Sequence, residues 1–341
     1  MTAQLPTPSP VSELPPEIFH LILSRIRDPS SPTQHQKTFA ACALVSRRWA
    51  PFAQSALWEA PILPTKERAH AFLARHMAEM QHESSPHQLI RNLDLTAVRF
   101  AEPEDTAYLH RLASRGMKKL RGLKLFADPL DPRTLAFILH ACKDVVDLKI
   151  TGSSGGGQSR YFYHLPPVRN MDSGVLSSLR VRLSQLRTLD LGDLDLSRGD
   201  GATLAHIVTT SLGPPLRGFA MPIISTSNRV QPLRDDTIAG QLAKQCPNLQ
   251  VLVARGRYVT DRSLGVLARC CARLSVVDLT NCPGITAKGV MTLLEGCPLL
   301  SEVQIRGTTA NDNLVKCSIA RAALVRMMAV RRRRGGRIFG P

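Results

Sequence analysis

Cys246-Pro-Asn-Leu-Gln-Val-Leu-Val-Ala254, Cys271-Ala-Arg-Leu-Ser-Val-Val-Asp-Leu279 and Cys297-Pro-Leu-Leu-Ser-Glu-Val-Gln-Ile305 repeat one pattern. After the cysteine turn, apolar residues fall as L-x-x-L-x-L. The final alternation predicts a short strand with one buried face. Working back along the chain, the pattern recurs at Ile90/Leu93/Leu95, Leu120/Leu123/Leu125, Val145/Leu148/Ile150, Leu186/Leu189/Leu191 and Leu216/Phe219/Met221. The eight copies, ending with those that start at Leu249, Leu274 and Leu300, are spaced by 30, 25, 41, 30, 33, 25 and 26 residues. Helical patterns lie between them, as in Leu135-Ala-Phe-Ile-Leu139, Ser263-Leu-Gly-Val-Leu-Ala268 and Val290-Met-Thr-Leu-Leu294. One strand and one helix per unit, stacked in series, predict a right-handed curved α/β solenoid with a parallel sheet on its concave face.

The N-terminal part reads differently. Leu14-Pro-Pro-Glu-Ile18 opens a helical pattern in which Leu14, Ile18, Leu21 and Ile22 fall at helical spacing. Pro15 and Pro16 stand where a first turn accepts proline. Ala41 to Trp49, through Leu44-Val-Ser-Arg-Arg-Trp49, gives a second apolar face, and Leu57-Trp58 follows. A unit of this size is marginal alone, so it is the foot of a larger fold or a docking surface. The polar stretch Arg27 to Lys37, with Asp28-Pro-Ser-Ser-Pro32, is expected to loop out between the first two helices.

Residues 12–60 resemble an F-box, fungal-like in kind, and residues 235–306 resemble the cysteine-containing leucine-rich repeat. The resemblance implies a substrate receptor of an SCF-type cullin–RING ubiquitin ligase. It implies a Skp-type adaptor as partner and, through it, cullin and the RING subunit. Carried over by position, the adaptor contacts are Leu14, Pro15, Ile18, Ile22, Leu44, Val45 and Trp49, with Trp49 serving the unit's own core as much as the interface. The expected organisation is an N-terminal stretch 1–11, an F-box 12–60, a connecting helix 61–88, repeats 89–306, a capping helix 307–330 and a basic tail 331–341.

Composition narrows the classes. No 18-residue apolar run is present to span a membrane. Residues 1–10 have neither the basic start nor the apolar core of a secretory signal. Eight cysteines occur with no C-x-x-C, which points to reduced, buried thiols in a cytoplasmic or nuclear protein and to no zinc or other cofactor. No nucleophile–base pairing, metal spacing or nucleotide loop is found, so no enzyme is expected. His70, His76, His82 and His87 are six or five residues apart and do not share a helix face.

Net charge is +17, part of it in Arg331-Arg-Arg-Arg334 and Arg337. That tail reads as a solvated end, an import signal or an anionic-surface contact. Residues between the repeat leucines (Asn92, Asp94, Lys124, Asp147, Lys149, Asp190, Arg255, Asp278, Glu302, Gln304 and Arg306) are expected on the concave wall. They carry both signs, which weighs against a nucleic-acid groove, although a nucleic-acid or chromatin scaffold remains the alternative reading. The candidate contacts for a protein substrate, acidic or phosphorylated, are Arg255, Arg257, Arg306, Lys124 and Lys149, because arginine pairs bidentately with such groups. The 41-residue interval holds Thr151-Gly-Ser-Ser-Gly-Gly-Gly157, a loop without a phosphate-cradle motif. Its Tyr161 and Tyr163, with Arg160 and Phe162, are the aromatic candidates for a partner contact.

Overall fold

The computed structural model describes residues 15–26, 32–45, 47–79, 89–97, 107, 110, 119–126, 132–151, 181–192, 211–221, 236–255 and 259–310. Leu14, Arg257, Tyr161, Tyr163, the glycine loop and the residues from 311 onward lie outside them.

All eight leucine patterns form parallel strands. These are β1 Asn92–Leu95, β2 Gly122–Phe126, β3 Asp147–Thr151, β4 Thr188–Asp190, β5 Gly218–Ala220, β6 Val251–Val253, β7 Val276–Asp278 and β8 Glu302–Gln304. They pair in strict sequence order as one sheet. Equivalent residues meet across every pair: Leu93 faces Leu123, which faces Leu148, then Leu189, Phe219, Leu252, Val277 and Val303. Period-two alternation therefore sends every rung inward, and a slip of one residue would expose them all. The inward rungs and the turn residues before them, from Ile90 to Leu300, belong to one continuous apolar core.

The helices close the outer layer. They are α5 Pro132–Ala141, α6 Asp236–Gln245, α7 Asp261–Cys270 and α8 Ala287–Gly296. Successive helix starts are tied together: the Thr286 amide and hydroxyl, at the start of α8, donate to the Asp261 carboxylate at 2.8 and 2.6 Å. Gly289 leaves room for this carboxylate, since a Cβ there would collide with Asp261 Oδ1. The strand-to-helix turn also needs a left-handed residue, supplied by Asn281 at φ 63° and by Gly307 at φ 73°.

Under the turns sit Cys246, Cys271 and Cys297, all fully buried. Cys271 Sγ lies 3.7 and 3.6 Å from the Ala243 and Cys246 carbonyls, and Cys297 Sγ lies 3.4 Å from the Cys271 carbonyl. Each thiol is free. Burial pushes the Cys142, Cys246 and Cys271 thiols up to about 12.

The N-terminal unit is α1 Pro16–Ile26, α2 Pro32–Val45 and α3 Ala50–Glu59, followed by α4 Lys66–Glu79. The expected loop from Arg27 to Lys37 is corrected here. Helix α2 already begins at Pro32, so residues 32–37 are helical. Proline at a first helical turn has its φ preset and no amide to satisfy, and the following Thr-Gln-His-Gln-Lys carries no breaker. The apolar face expected from Ala41 to Trp49 is likewise broken. Helix α2 ends at Val45, and Trp49 sits in the turn before α3.

The unit has its own small core, built from Phe19, Leu23, Phe39 and Ala53. Phe19 meets Trp49 edge-on at 4.8 Å and stacks on Phe52 at 5.3 Å, geometries that aromatic pairs favour. The unit is joined firmly to the solenoid. Trp58 of α3 lies 6.0 Å from Phe72 of α4. Phe72, Leu63 and Ala69 pack into the solenoid core, and the Arg91 amide donates to the Glu59 carbonyl at 2.9 Å. Among the described residues no helix is long and apolar enough to cross a membrane.

Candidate functional site

Two surfaces stand out, one on each half. On the helical unit, Leu44 is 87% exposed, Val45 68%, Leu21 54% and Ile18 37%. Four exposed aliphatic side chains on a unit of three short helices form a surface that water does not favour. Helix α1 keeps Glu17, His20 and Ser24 on one side and spreads its apolar residues over the rest. Its 19/23 side turns inward and its 18/21 side turns out, with Pro15 exposed and Ile22 half-buried beside it. Of the expected contacts, Pro15, Ile18, Ile22, Leu44 and Val45 are thus at least partly open to solvent. Trp49 is half-buried against Phe19. Leu21, absent from the expected contacts, belongs to the exposed set. Its signal was the helical spacing that includes Ile18.

The second surface is the concave wall. A groove of about 960 Å³ runs across β1 to β6. His35, Gln36 and Phe39 of α2 and the Ala60–Pro64 segment close its N-terminal end. No pattern in the sequence signals that α2 reaches the wall. Along the floor, the expected cations are internally balanced. Lys124 Nζ lies 3.1 Å from Asp94 Oδ2, and Lys149 Nζ lies 2.8 Å from Asp190 Oδ2. Beyond the groove, Arg255 Nε lies 2.7 Å from Asp278 Oδ2. Arg306 is exposed and makes no ion pair among the described residues.

The aspartates of the Leu-Asp-Leu wording have a structural task. Asp94 Oδ1 accepts from the Thr96 amide at 3.1 Å and hydroxyl at 2.6 Å. Asp278 repeats this with Thr280 at 3.0 and 2.6 Å. Burial raises both carboxyls, but the threonine donors with Lys124 or Arg255 outweigh it and hold them below the usual carboxylate range. The wall residues left out of the sequence reading are small or apolar: Gly122, Thr188, Gly218, Ala220, Val251, Val253 and Val276. The stretch of wall at β5 and β6 is therefore uncharged. Among the described residues no group of three His, Cys, Asp or Glu is arranged to hold a metal ion.

Residues 11–63 match the F-box-like family. This is the helical unit with its exposed aliphatic surface. Among solved structures, a Bacteroides fragilis protein superposes with a TM-score of 0.46 at 13% identity, over 76% of this chain and 70% of its own. The complex of Rad7 and Elc1 from yeast gives 0.34 at 14% identity, over 89% and 90%. At these values the fold assignment rests on the strand order and register. The chain is an F-box-like helical unit followed by an α/β solenoid of eight parallel strands.

Proposed function

We propose that this chain is the substrate-recognition subunit of an SCF-type ubiquitin ligase. The observation that carries the reading is the exposed Ile18, Leu21, Leu44 and Val45 surface on a unit that matches the F-box-like family. That surface suits an apolar Skp-type adaptor, which would bring cullin and the RING subunit. The solenoid, fixed to the unit through Trp58, Phe72 and Leu63, holds the target. The chain works by positioning: it raises the effective concentration of a target lysine near the charged ubiquitin enzyme and does no chemistry itself. The Cys246, Cys271 and Cys297 turns support placing the solenoid in the cysteine-containing leucine-rich-repeat class. Buried free thiols support a reducing compartment, cytoplasm or nucleus.

Affinity purification with mass spectrometry tests this, comparing the intact chain with Leu44→Asp/Val45→Asp. Adaptor, cullin and RING subunit are expected with the intact chain and lost with the variant, while targets persist. Their absence from the intact sample, or their retention by the variant, refutes the reading. Recovery of nucleic acid in place of adaptor favours the scaffold alternative, which rests on the net charge of +17.

A further inference from the structure

A row of unpaired positive charge lies along one edge of the concave wall. The residue just before each strand forms an extra rung of the ladder: Arg91, Arg121, Val146, Arg187, Arg217, Gln250, Ser275 and Ser301. Backbone bonds hold this rung in register. The Arg121 amide donates to the Arg91 carbonyl at 2.7 Å, Val146 to Arg121 at 2.9 Å, Arg187 to Val146 at 2.7 Å and Arg217 to Arg187 at 2.7 Å. Strands in a sheet lie about 4.8 Å apart, so four arginines over five rungs make a row about 19 Å long. Arg121, Arg187 and Arg217 are exposed and Arg91 is half-buried. Among the described residues none of these side chains has an ion pair or hydrogen bond, in contrast to Lys124, Lys149 and Arg255, three to five residues further along their repeats. The turns on the same edge add exposed Lys119, Lys143 and Arg273 against exposed Asp144. Like charges one rung apart repel, and nothing in the fold requires them there.

We propose that this edge binds an extended acidic segment of the target protein, whose carboxylate or phosphate side chains are forked by Arg121, Arg187 and Arg217, with Arg91 at the end of the row. The proposal rests on reading the solenoid as the target-holding half. Carboxylate and phosphate both present the oxygens that a guanidinium grips with two parallel bonds. An extended chain advances about 3.3 Å per residue, so about six residues cover the row. A nucleic-acid strand fits less well. The described residues of this edge include no aromatic side chain on which a base could stack.

The test uses the full-length chain and fluorescence anisotropy. The probes are a labelled glutamate-rich peptide, its phosphoserine counterpart and a single-stranded oligodeoxythymidine. Each exposed pair contributes modestly, so Arg121→Glu/Arg217→Glu is expected to weaken the better peptide by at least about tenfold. Arg121→Gln/Arg217→Gln should give a smaller loss, and both variants should still co-purify the Skp-type adaptor. Which peptide binds better identifies carboxylate or phosphate as the natural group. The proposal is overturned if both rim variants bind the peptides as the wild type does. It is overturned equally if Arg255→Glu/Arg306→Glu or loss of Arg331–Arg334 removes binding while the rim variants keep it. Tighter binding of the oligonucleotide, lost in the rim variants, overturns it in favour of nucleic acid. Failure of adaptor co-purification by the wild type strikes the receptor reading alone and is read separately.

Discussion

Cys271 is fully buried, and its thiol faces the Ala243 and Cys246 carbonyls without coming closer than 3.6 Å. Burial, with the neighbouring cysteines, pushes its pKa up to about 12. An ordinary thiol, ionising near 9.0, is about one tenth thiolate at about pH 8, whereas one at about 12 is thiolate in about one molecule in ten thousand. Since the thiolate is the nucleophile, native Cys271 should alkylate some three orders of magnitude more slowly than a free cysteine, before any steric protection. A timed iodoacetamide pulse read by peptide mass spectrometry measures this. Half-buried Cys42 and Cys270 should label first, and Cys142, Cys246 and Cys271 only on unfolding. Cys271→Ser should lower stability by roughly 1–3 kcal/mol, because a hydroxyl is costlier to bury than a thiol; Cys271→Ala should cost less. The pH dependence has a definite sign. Unfolded thiols ionise near 9.0 and the folded ones near about 12, so their contribution to stability is full below pH 9.0 and is lost as pH rises toward about 12. Labelling of native Cys271 as fast as Cys42 would refute the buried-thiol reasoning, as would a serine variant of unchanged stability.

Three further outcomes follow from the same geometry. Phe19→Ala removes the ring that Trp49 and Phe52 pack on and should destabilise the helical unit by about 3–5 kcal/mol, read as an early step in thermal melting that leaves the solenoid transition in place. Asp278 is held below the ordinary carboxylate range, so its stabilisation is present above pH 3.8 and lost as pH falls through its folded value. Asp278→Asn should flatten the acid limb of the stability curve measured by urea titration. Gly289→Ala should displace the Asp261 carboxylate from Thr286 and lower stability by about 1–3 kcal/mol; Gly289→Ala in an Asp261→Ala background should cost less, since the clash is then gone.

The solenoid was legible because its period is short and strict. Leu93, Leu95 and their equivalents alternate, and all eight strands form where that alternation stands. The polar pairs were not legible, because they join residues remote in sequence. Lys124 and Asp94, Lys149 and Asp190, and Arg255 and Asp278 become neighbours only once the register is known. The same holds for Arg121 beside Arg91 and Arg217 beside Arg187. Helix α1 defeated a face assignment for another reason. With Ile18, Phe19, Leu21, Ile22 and Leu23 all apolar, no single stripe marks the inside, and packing against Trp49 and Phe52 selects Phe19. The start of α2 was missed because the polar stretch Arg27 to Lys37 was read as one loop, although Pro32 within it opens a helix.

A calorimetric titration of purified Skp-type adaptor into the intact chain bears on the functional assignment without intermediaries. One-to-one binding is expected. In Leu44→Asp/Val45→Asp it should weaken by several kcal/mol, on the scale of interface hot spots, with the solenoid melting as before. No binding heat from the intact chain, or the same affinity from both proteins, would contradict residues 11–63 as an adaptor-binding unit.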